Sequence, residues 1–275
     1  MPQSAHRMEH GRLVCHALRG AHGSPMLAVS DLLLPPNGDE SARTPDEATT
    51  TIRGSHSCLL VELRGQRILI DGSLDSVIVR AGLHEIGIAE HEIDVVLITH
   101  GDTDHIAGLV DTERQLVYAH AAYVLHRSLW EAWTSGGERG DPDPYYEEAQ
   151  RAVALALSAQ IADRVTLIDA DSVIAPGVRA LNAPGHRPSH IAYEVSDETC
   201  SLLDVGDAAI APVLVEQHGR GNAFDSDPVE GIRSRQRLLE RASSPQTLTF
   251  IPHFPWPGFV RISKQGDRFR WSPAA

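Results

Sequence analysis

Cysteine is scarce in this chain and its copies are scattered. The three cysteines, Cys15, Cys58 and Cys200, are odd in number and none has the spacing of a zinc finger. Such a pattern is typical of a protein from a reducing compartment. We therefore expect a cytoplasmic location.

Long apolar runs are also missing. No stretch approaches the roughly 20 apolar residues that a membrane helix needs. The first twelve residues, MPQSAHRMEHGR, lack the apolar core of a signal peptide. We expect no membrane partner.

Basic residues are outnumbered by acidic ones. The chain has 24 Lys and Arg against 37 Asp and Glu, which gives a formal net charge of −13. Proteins that bind nucleic acids present a basic surface, so this balance disfavours a nucleic-acid partner. A small-molecule substrate, including a small anion, remains compatible with the charge.

Histidine, by contrast, is plentiful, with 15 copies. The most informative stretch is VVLITHGDTDHIAGL, at positions 95–109. It begins as a short β-branched run, too short for a helix, and then breaks into a loop that holds His100, Asp102, Asp104 and His105. Burying carboxylates and imidazoles together is costly unless a cation neutralises them, so the loop predicts a metal site.

This loop resembles the signature of the metallo-β-lactamase superfamily, His-x-His-x-Asp-His. The chain reads His100-Gly-Asp102-Thr-Asp104-His105, so aspartate replaces the second histidine. Three later elements follow in family order, each after an apolar strand: His186 in PGHRPSH, Asp207 in LLDVGDA and His253 in FIPHFPWPG. Asp71 ends an earlier hairpin, where the resemblance implies that its carboxylate supports the metal loop from outside.

The resemblance implies the α/β fold of the superfamily, an αββα sandwich of two mixed β-sheets flanked by helices. It covers roughly residues 55–260. We assign residues 51–275 to the hydrolase domain and residues 1–50 to an N-terminal arm that packs on the domain or on a second subunit.

Carried over by position, one metal would be held by His100, Asp102 and His186, and a second by Asp104, His105 and His253. Asp207 would bridge the two, and Asp104 and Asp207 would be the catalytic carboxylates. These donors suit two divalent ions, for which we expect zinc, with iron or manganese as alternatives.

Asp102 leaves two interpretations open. Its carboxylate could bind the metal, although it is shorter than an imidazole, or it could cap the following helix, whose N-terminus favours an acid. If it is a ligand, a histidine at this position is expected to keep or increase the zinc occupancy.

Aromatic residues make up only 5% of the chain, so those near the predicted ligands stand out. We assign Trp130, Trp133, Phe254 and Trp256 to the substrate pocket, with the ordinary alternative that they belong to the core. His56 has two possible positions, one facing the site and one at the surface of the strand end, and we expect the second. The loop at residues 135–146 is a candidate lid.

The ending His-Phe-Pro-x-Pro-Gly resembles the branch of methyl parathion hydrolase and related lactonases. The expected function is a metal-dependent hydrolase that attacks a small ester or lactone with a metal-bridging hydroxide. Thioester, phosphotriester or β-lactam hydrolysis are alternatives within the fold. A rival of another class is a non-hydrolytic or mononuclear metal-binding accessory protein. A homodimer is compatible with the sequence.

Overall fold

The structure is a computed structural model, and it describes residues 3–21, 26–135 and 148–274. In chain order the strands are β1 Ala5–His10, β2 Leu13–Arg19, β3 Met26–Ala28, β4 Thr51–Arg53, β5 Ser57–Leu63, β6 Gln66–Ile70, β7 Val95–Leu97, β8 Ala122–His126, β9 Val165–Ile168, β10 Ser172–Ala175, β11 Val178–Asn182, β12 Ile191–Ser196, β13 Ser201–Asp204, β14 Thr247–Phe250, β15 Phe259–Gln265 and β16 Arg268–Pro273. The α-helices are α1 Val29–Leu32, α2 Pro45–Thr49, α3 Ser76–Glu85, α4 Thr103–Ile106, α5 Arg127–Thr134, α6 Glu148–Ile161, α7 Pro212–Glu216 and α8 Pro228–Ala242. Within these ranges no helix is both long enough and apolar enough to cross a bilayer.

Two seven-stranded mixed sheets form the centre of the molecule. The first has the order β1-β2-β5-β6-β7-β8-β9 and the second the order β10-β11-β12-β13-β14-β15-β16. Strands β6 to β9 run parallel to one another, as do β13 and β14, whereas the other neighbours in the two sheets are antiparallel.

The alternation of side chains along β5 shows how the layers are built. Leu59 and Val61 point into a core shared by the two sheets, while Cys58 and Leu60 point to the opposite face. That opposite face also contacts α3, α5 and α6, and the outer face of the second sheet packs on α8. Successive strand residues face opposite sides, so each sheet buries both faces. The predicted αββα sandwich is confirmed.

The segment assigned to the arm has two parts. Strands β1 and β2 extend the first sheet by pairing with β5, so residues 5–19 belong to the sandwich. Residues 26–53 form a separate small unit in which β3 pairs with β4 and α1 contacts α2. The proposed boundary at residue 50 stays a prediction, although the first sheet begins well before it.

Two helix boundaries compare with the sequence as follows. The amphipathic pattern of residues 228–242 predicts a helix, and α8 begins at Pro228 because the Asp227 side chain accepts hydrogen bonds from the backbone N–H groups of Val229 and Glu230. The apolar segment from Ala107 predicts a helix that begins there, which is wrong in its start: a short helix already begins at Thr103, and residues 107–109 form a 3-10 turn. The candidate lid lies outside the described residues apart from Ser135.

The topology brings the two halves together at one edge. The loops after β6, β7, β13 and β14 all open there, because the carboxyl ends of parallel neighbours meet at the same edge of a sheet. The backbone N–H of Ile191 in β12 donates to the carbonyl of Thr99, 2.9 Å away in the first sheet. This contact ties the metal loop to the second sheet.

Candidate metal centre

The metal loop is held from below by Asp71, which is 2% exposed. Its carboxylate accepts hydrogen bonds from Thr99 N–H at 2.8 Å, Thr99 Oγ1 at 2.7 Å and His105 Nδ1 at 2.7 Å. The backbone that follows Asp71 packs closely against the metal loop. A Cβ added at Gly108 would lie 1.9 Å from the carbonyl oxygen of Gly72. The geometry agrees with the supporting role that we predicted for Asp71.

The four predicted histidine ligands all turn the same ring edge toward the centre. His105 Nδ1 donates to Asp71, and His253 Nδ1 donates to the carbonyl of Ser55 at 2.9 Å. His100 Nδ1 lies 3.0 Å from Thr99 Oγ1, and His186 Nδ1 lies 3.3 Å from Asp225 Oδ1. These acceptors fix the orientation of each ring and leave its Nε2 directed inward, as ligating histidines require.

The second donor group consists of Asp104, His105, Asp207 and His253. Asp207 Oδ1 lies 3.1 Å from His105 Nε2 and 3.2 Å from His253 Nε2, and those two nitrogens are 3.3 Å apart. Asp104 Oδ2 is 3.5 Å from His253 Nε2. The structure therefore brings together all four residues that we assigned to this position.

The first donor group consists of His100, His186 and Asp207, whose donor atoms all lie within 4.8 Å of one another. Asp207 Oδ2 is 3.3 Å from His186 Nε2 and 3.9 Å from His100 Nε2. Asp102 lies beside this group, with Oδ2 3.3 Å from His186 Nε2 and 3.6 Å from His100 Nε2. Asp207 thus offers one oxygen to each group, which is the geometry of a bridging carboxylate.

Asp102 occupies the N-cap position of α4 but does not cap it, since its side chain makes no hydrogen bond to the helix N-terminus. Its carboxylate instead accepts two hydrogen bonds from Arg187. Nε donates to Oδ1 at 2.8 Å, and Nη2 donates to Oδ2 at 2.6 Å. Gln150 also reaches Oδ1, at 3.3 Å. The helix-cap interpretation is therefore wrong, and Asp102 faces both the first donor group and an arginine.

These donors fit a pair of metal ions. Inward-facing Nε2 lone pairs and carboxylate oxygens lie against one another, and two of them, His100 Nε2 and Asp207 Oδ1, are buried with no hydrogen-bond partner among the described residues. Buried polar atoms without partners are costly, so a positive charge between them would stabilise the centre. Nitrogen and carboxylate donors of this kind suit zinc, iron and manganese.

The electrostatics of the cluster also favour a cation. Burial by itself lowers the pKa of His186, but its hydrogen bond to Asp102 and the charge of Asp207 raise the pKa to about 9. Burial likewise opposes the charged form of His105, yet the Asp207, Asp71 and Asp104 carboxylates raise its pKa well above the usual range. In the metal-free protein protons supply part of this charge, so metal binding releases them.

His190 and Asp225 are two supporting residues that the sequence analysis missed. His190 is fully buried and accepts the backbone N–H of Asp207 on Nε2 at 2.9 Å, while its Nδ1 donates to the carbonyl of Ala183. Burial and the neighbouring His100 lower the pKa of His190 well below the usual range, which keeps this acceptor neutral. The second histidine of PGHRPSH was a signal for the first of these residues, whereas Asp225 has none in the sequence.

His56 was expected at the surface and instead lines the centre. Its Nδ1 is buried and lies 3.3 Å from Asp104 Oδ2. His56, Asp104 and His253 form a third set of donor atoms within 4.8 Å of one another. The surface interpretation of His56 is wrong.

A cavity of about 320 Å³ opens above the two donor groups. Part of its wall is polar, with His56, Asp104, Arg187 and the metal loop. The remainder is apolar and comes from three separate segments of the chain. The apolar lining residues are Leu27, Leu32, Ile52, Ile210, Ala211 and Phe224.

The four aromatics that we assigned to the substrate pocket do not line this cavity. Trp133 and Trp130 pack in or against the core beneath the first sheet, and Phe254 is fully buried in the core of the second sheet. Trp256 packs against the core between the sheets, with the Arg19 guanidinium 4.0 Å from its ring centroid. The pocket assignment is corrected, because these side chains pack in or against the hydrophobic cores and not on the cavity wall.

A buried acid behind the centre gives a prediction about stability. Asp204 is 1% exposed, and burial together with the Asp71 carboxylate raises its pKa to about 8. Since an unfolded aspartate titrates near about 4, the folded state keeps a proton that the unfolded chain releases between these values. The stability contributed by this proton is fully present below about pH 4 and is lost as the pH rises through about 8.

We therefore expect Asp204→Asn to raise the free energy of unfolding of the metal-free protein at pH 8.5, by at most about 5 kcal/mol, with a smaller effect at pH 5. The amide can still accept the N–H of Gly206, which now bonds Asp204 Oδ1 at 2.9 Å. Urea denaturation at the two pH values measures the difference. Equal shifts at both would show that Asp204 titrates normally.

Comparisons with known proteins agree with this geometry. The family model described as "Metallo-beta-lactamase superfamily" matches residues 51–253. The anti-Pycsar protein Apyc1 of Saccharibacillus brassicae is 33% identical over 85 residues, which are 28% of this chain and 34% of that protein. The match thus spans about a third of the length of that curated relative.

Solved structures share the fold over nearly the whole chain. AidC, a dizinc quorum-quenching lactonase in complex with a product, has a TM-score of 0.79 at 19% identity, covering 99% of this chain and 98% of its own. The hydrolase AbOPH has a TM-score of 0.78 at 19% identity, covering 100% and 99%. A probable metal-dependent hydrolase from Staphylococcus aureus has a TM-score of 0.75 at 17% identity, covering 98% and 100%.

Proposed function

The chain belongs to the metallo-beta-lactamase superfamily, and we propose that it is a metal-dependent hydrolase of a small ester or lactone with an apolar acyl group. The observation that carries this proposal is the pair of donor groups joined by Asp207 at the floor of a cavity with an apolar wall. Structural neighbours of this fold include lactonases and metal-dependent hydrolases.

The first donor group, with Asp102 beside it, and the second donor group would each hold one divalent ion. When bound, two such ions supply an acidified water and polarise the carbonyl of the substrate. The chain needs no serine or cysteine nucleophile for this reaction.

The protein's own residues position the reactants. Burial opposes ionisation of Asp104, but the neighbouring His105 and His56 hold its pKa below the usual range, so it is a carboxylate at neutral pH. An ionised carboxylate at the cavity floor orients water by accepting its hydrogen bond. The ring of His253, edge-on to His56 at 5.2 Å between centroids, closes the side of the site.

The apolar wall supports an acyl substituent. Leu27 and Ile52 belong to the paired strands β3 and β4, and Leu32 to the helix that follows β3, so one short segment supplies half of the apolar lining. Each buried CH₂ group contributes about 0.8 kcal/mol to binding. A lactone or ester with several methylenes would bury its acyl chain against this wall, whereas a fully polar substrate would leave the apolar side chains exposed to water.

A substrate panel tests the proposal directly. The protein is purified without added metal, its metal content is measured, and hydrolysis of an N-acyl lactone, an aryl ester, a thioester, a phosphotriester and a β-lactam is compared before and after chelation. We expect hydrolysis of the lactone or ester that chelation abolishes and metal restores. A fully metal-loaded protein that hydrolyses none of the five would favour the non-hydrolytic accessory alternative.

Ile52→Gln is expected to raise the KM for a lactone with a long acyl chain by about tenfold, because an amide replaces apolar contact worth one or two methylenes. The KM for a lactone with a short chain should hardly change, and kcat should be retained for both. Val173→Gln, at a side chain 69% exposed on β10, is the matched control. Equal KM increases for both chain lengths would remove Ile52 from the acyl site.

A further inference from the structure

The ion pair between Arg187 and Asp102 lies where the chain departs from the family motif. Arg187 follows the ligand His186 directly and is 8% exposed. Its guanidinium holds both oxygens of Asp102 in a fork, at 2.8 and 2.6 Å. Bidentate pairs of this kind are among the stronger side-chain interactions and fix the plane of the carboxylate.

The guanidinium is placed independently of Asp102. Its Nη1 donates to the carbonyl of His186 at 2.7 Å and to the carbonyl of Phe224 at 2.9 Å. Arg187 is therefore anchored to the backbone of the loop that carries His186. The fork presents a fixed positive charge to whatever side chain stands at position 102.

The pair keeps the charge of the centre that a second histidine would give. Asp102, Asp104 and Asp207 face the donor groups as three carboxylates, and the arginine neutralises one of them. A neutral imidazole at position 102, together with an uncharged residue at position 187, would leave the same two net negative charges. Three uncompensated carboxylates would instead favour hard, oxygen-preferring cations over zinc.

The fork also selects which oxygen of Asp102 faces the centre. Oδ1 is turned to Arg187 Nε and to Gln150, whereas Oδ2 lies 3.3 Å from His186 Nε2 and 3.6 Å from His100 Nε2. Only Oδ2 is directed at the first donor group. A carboxylate held in this way offers one oxygen, as an imidazole offers one nitrogen.

We propose that Arg187 is a positioning residue that acts with Asp102 as a single unit in place of the family's second histidine and so controls metal affinity at the first donor group. Neither member can then be changed alone. Asp102→His by itself removes a carboxylate from beside the guanidinium of Arg187 while that positive charge stays next to a metal position, which reverses the expectation that a histidine there keeps or increases zinc. The inference rests on the metal centre and not on the identity of the substrate.

A double-mutant cycle tests the proposal with Asp102→His, Arg187→Met and the two combined. The readouts are the zinc affinity of the first donor group, measured by calorimetric titration of the metal-free protein, and the Tm of the metal-free protein. We expect Asp102→His to weaken zinc binding at the first donor group at least tenfold. The double variant should recover the wild-type affinity to within about threefold.

Arg187→Met alone is expected to lower the Tm of the metal-free protein and to shift selectivity from zinc toward manganese, because Asp102 keeps its charge without its partner. The surface pair Arg127 and Asp169 is the matched control, since it forms a similar fork at 2.7 and 3.3 Å away from the cavity. Arg127→Met, Asp169→His and their combination should leave zinc affinity unchanged.

Two results would overturn the proposal. One is an Asp102→His variant that binds zinc at the first donor group as tightly as the wild type. The other is a double variant whose loss of affinity equals the two single losses added together. Because neither readout uses turnover, these results remain distinct from a failure of the proposed hydrolase function.

Discussion

Asp207→Ala should lower kcat/KM by at least about a thousandfold, equivalent to roughly 4 kcal/mol of transition-state stabilisation. Asp207 is the one residue that both donor groups share: Oδ1 lies 3.1 Å from His105 Nε2, and Oδ2 lies 3.3 Å from His186 Nε2. Its loss therefore removes a ligand from both metal positions at once. Metal content should fall together with turnover, and elemental analysis of the purified variant measures it.

The matched control is Asp267→Ala, an exposed acid in the turn between β15 and β16. It removes the same side chain from a turn that does not line the cavity, and it should leave kcat/KM and metal content unchanged. A thermal melt of both variants checks that each is folded. An Asp207→Ala protein with two metals and wild-type turnover would exclude the bridging role.

Asp71→Asn and Asp225→Asn should each weaken one metal position more than the other. Asp71 Oδ2 accepts from His105 Nδ1 and Thr99 Oγ1, so an amide NH₂ placed there would oppose two donors. Asp225 lies in the same relation to His186 in the first donor group, and Arg235 and Asn222 also donate to it. Losing such an orienting partner reduces metal affinity by about 10- to 100-fold.

Stepwise titration of the metal-free variants with zinc separates the two effects. Asp71→Asn is expected to weaken the step that belongs to the second donor group, and Asp225→Asn the step that belongs to the first. The two variants are controls for each other, since both replace a buried carboxylate by its isostere beside a histidine ligand. If each variant weakened both steps equally, the donor groups would not be independent sites.

The residues predicted as ligands could be found in the sequence because their signal is local. His100, Asp207 and His253 each follow a short apolar run, and a strand that ends in a polar loop places its last side chains at the edge of a sheet. The order of these elements along the chain then gave the layers of the fold. The hairpin ending at Asp71 was readable in the same way.

The partners of these ligands were not readable, because they arise from contacts between distant segments. Arg187 and Asp102 are 85 positions apart, and nothing in either motif shows that the two side chains meet. His56 precedes a strand by one residue, and the carboxylate that it faces belongs to Asp104, 48 positions further along the chain. The four aromatics failed for the opposite reason: nearness in sequence to a ligand does not determine which side of the loop a side chain occupies.

The small unit of residues 26–53 has a consequence for how such an enzyme changes over time. It contributes Leu27, Leu32 and Ile52 to the cavity but contains none of the metal ligands. Insertions, deletions or exchange of this unit would reshape the substrate wall while the strands that carry the ligands keep their register. Exchange of this unit for that of a relative would therefore alter the substrate wall, provided that the backbone contacts of Leu32 and Leu34 with Ala223 and Gly221 are kept.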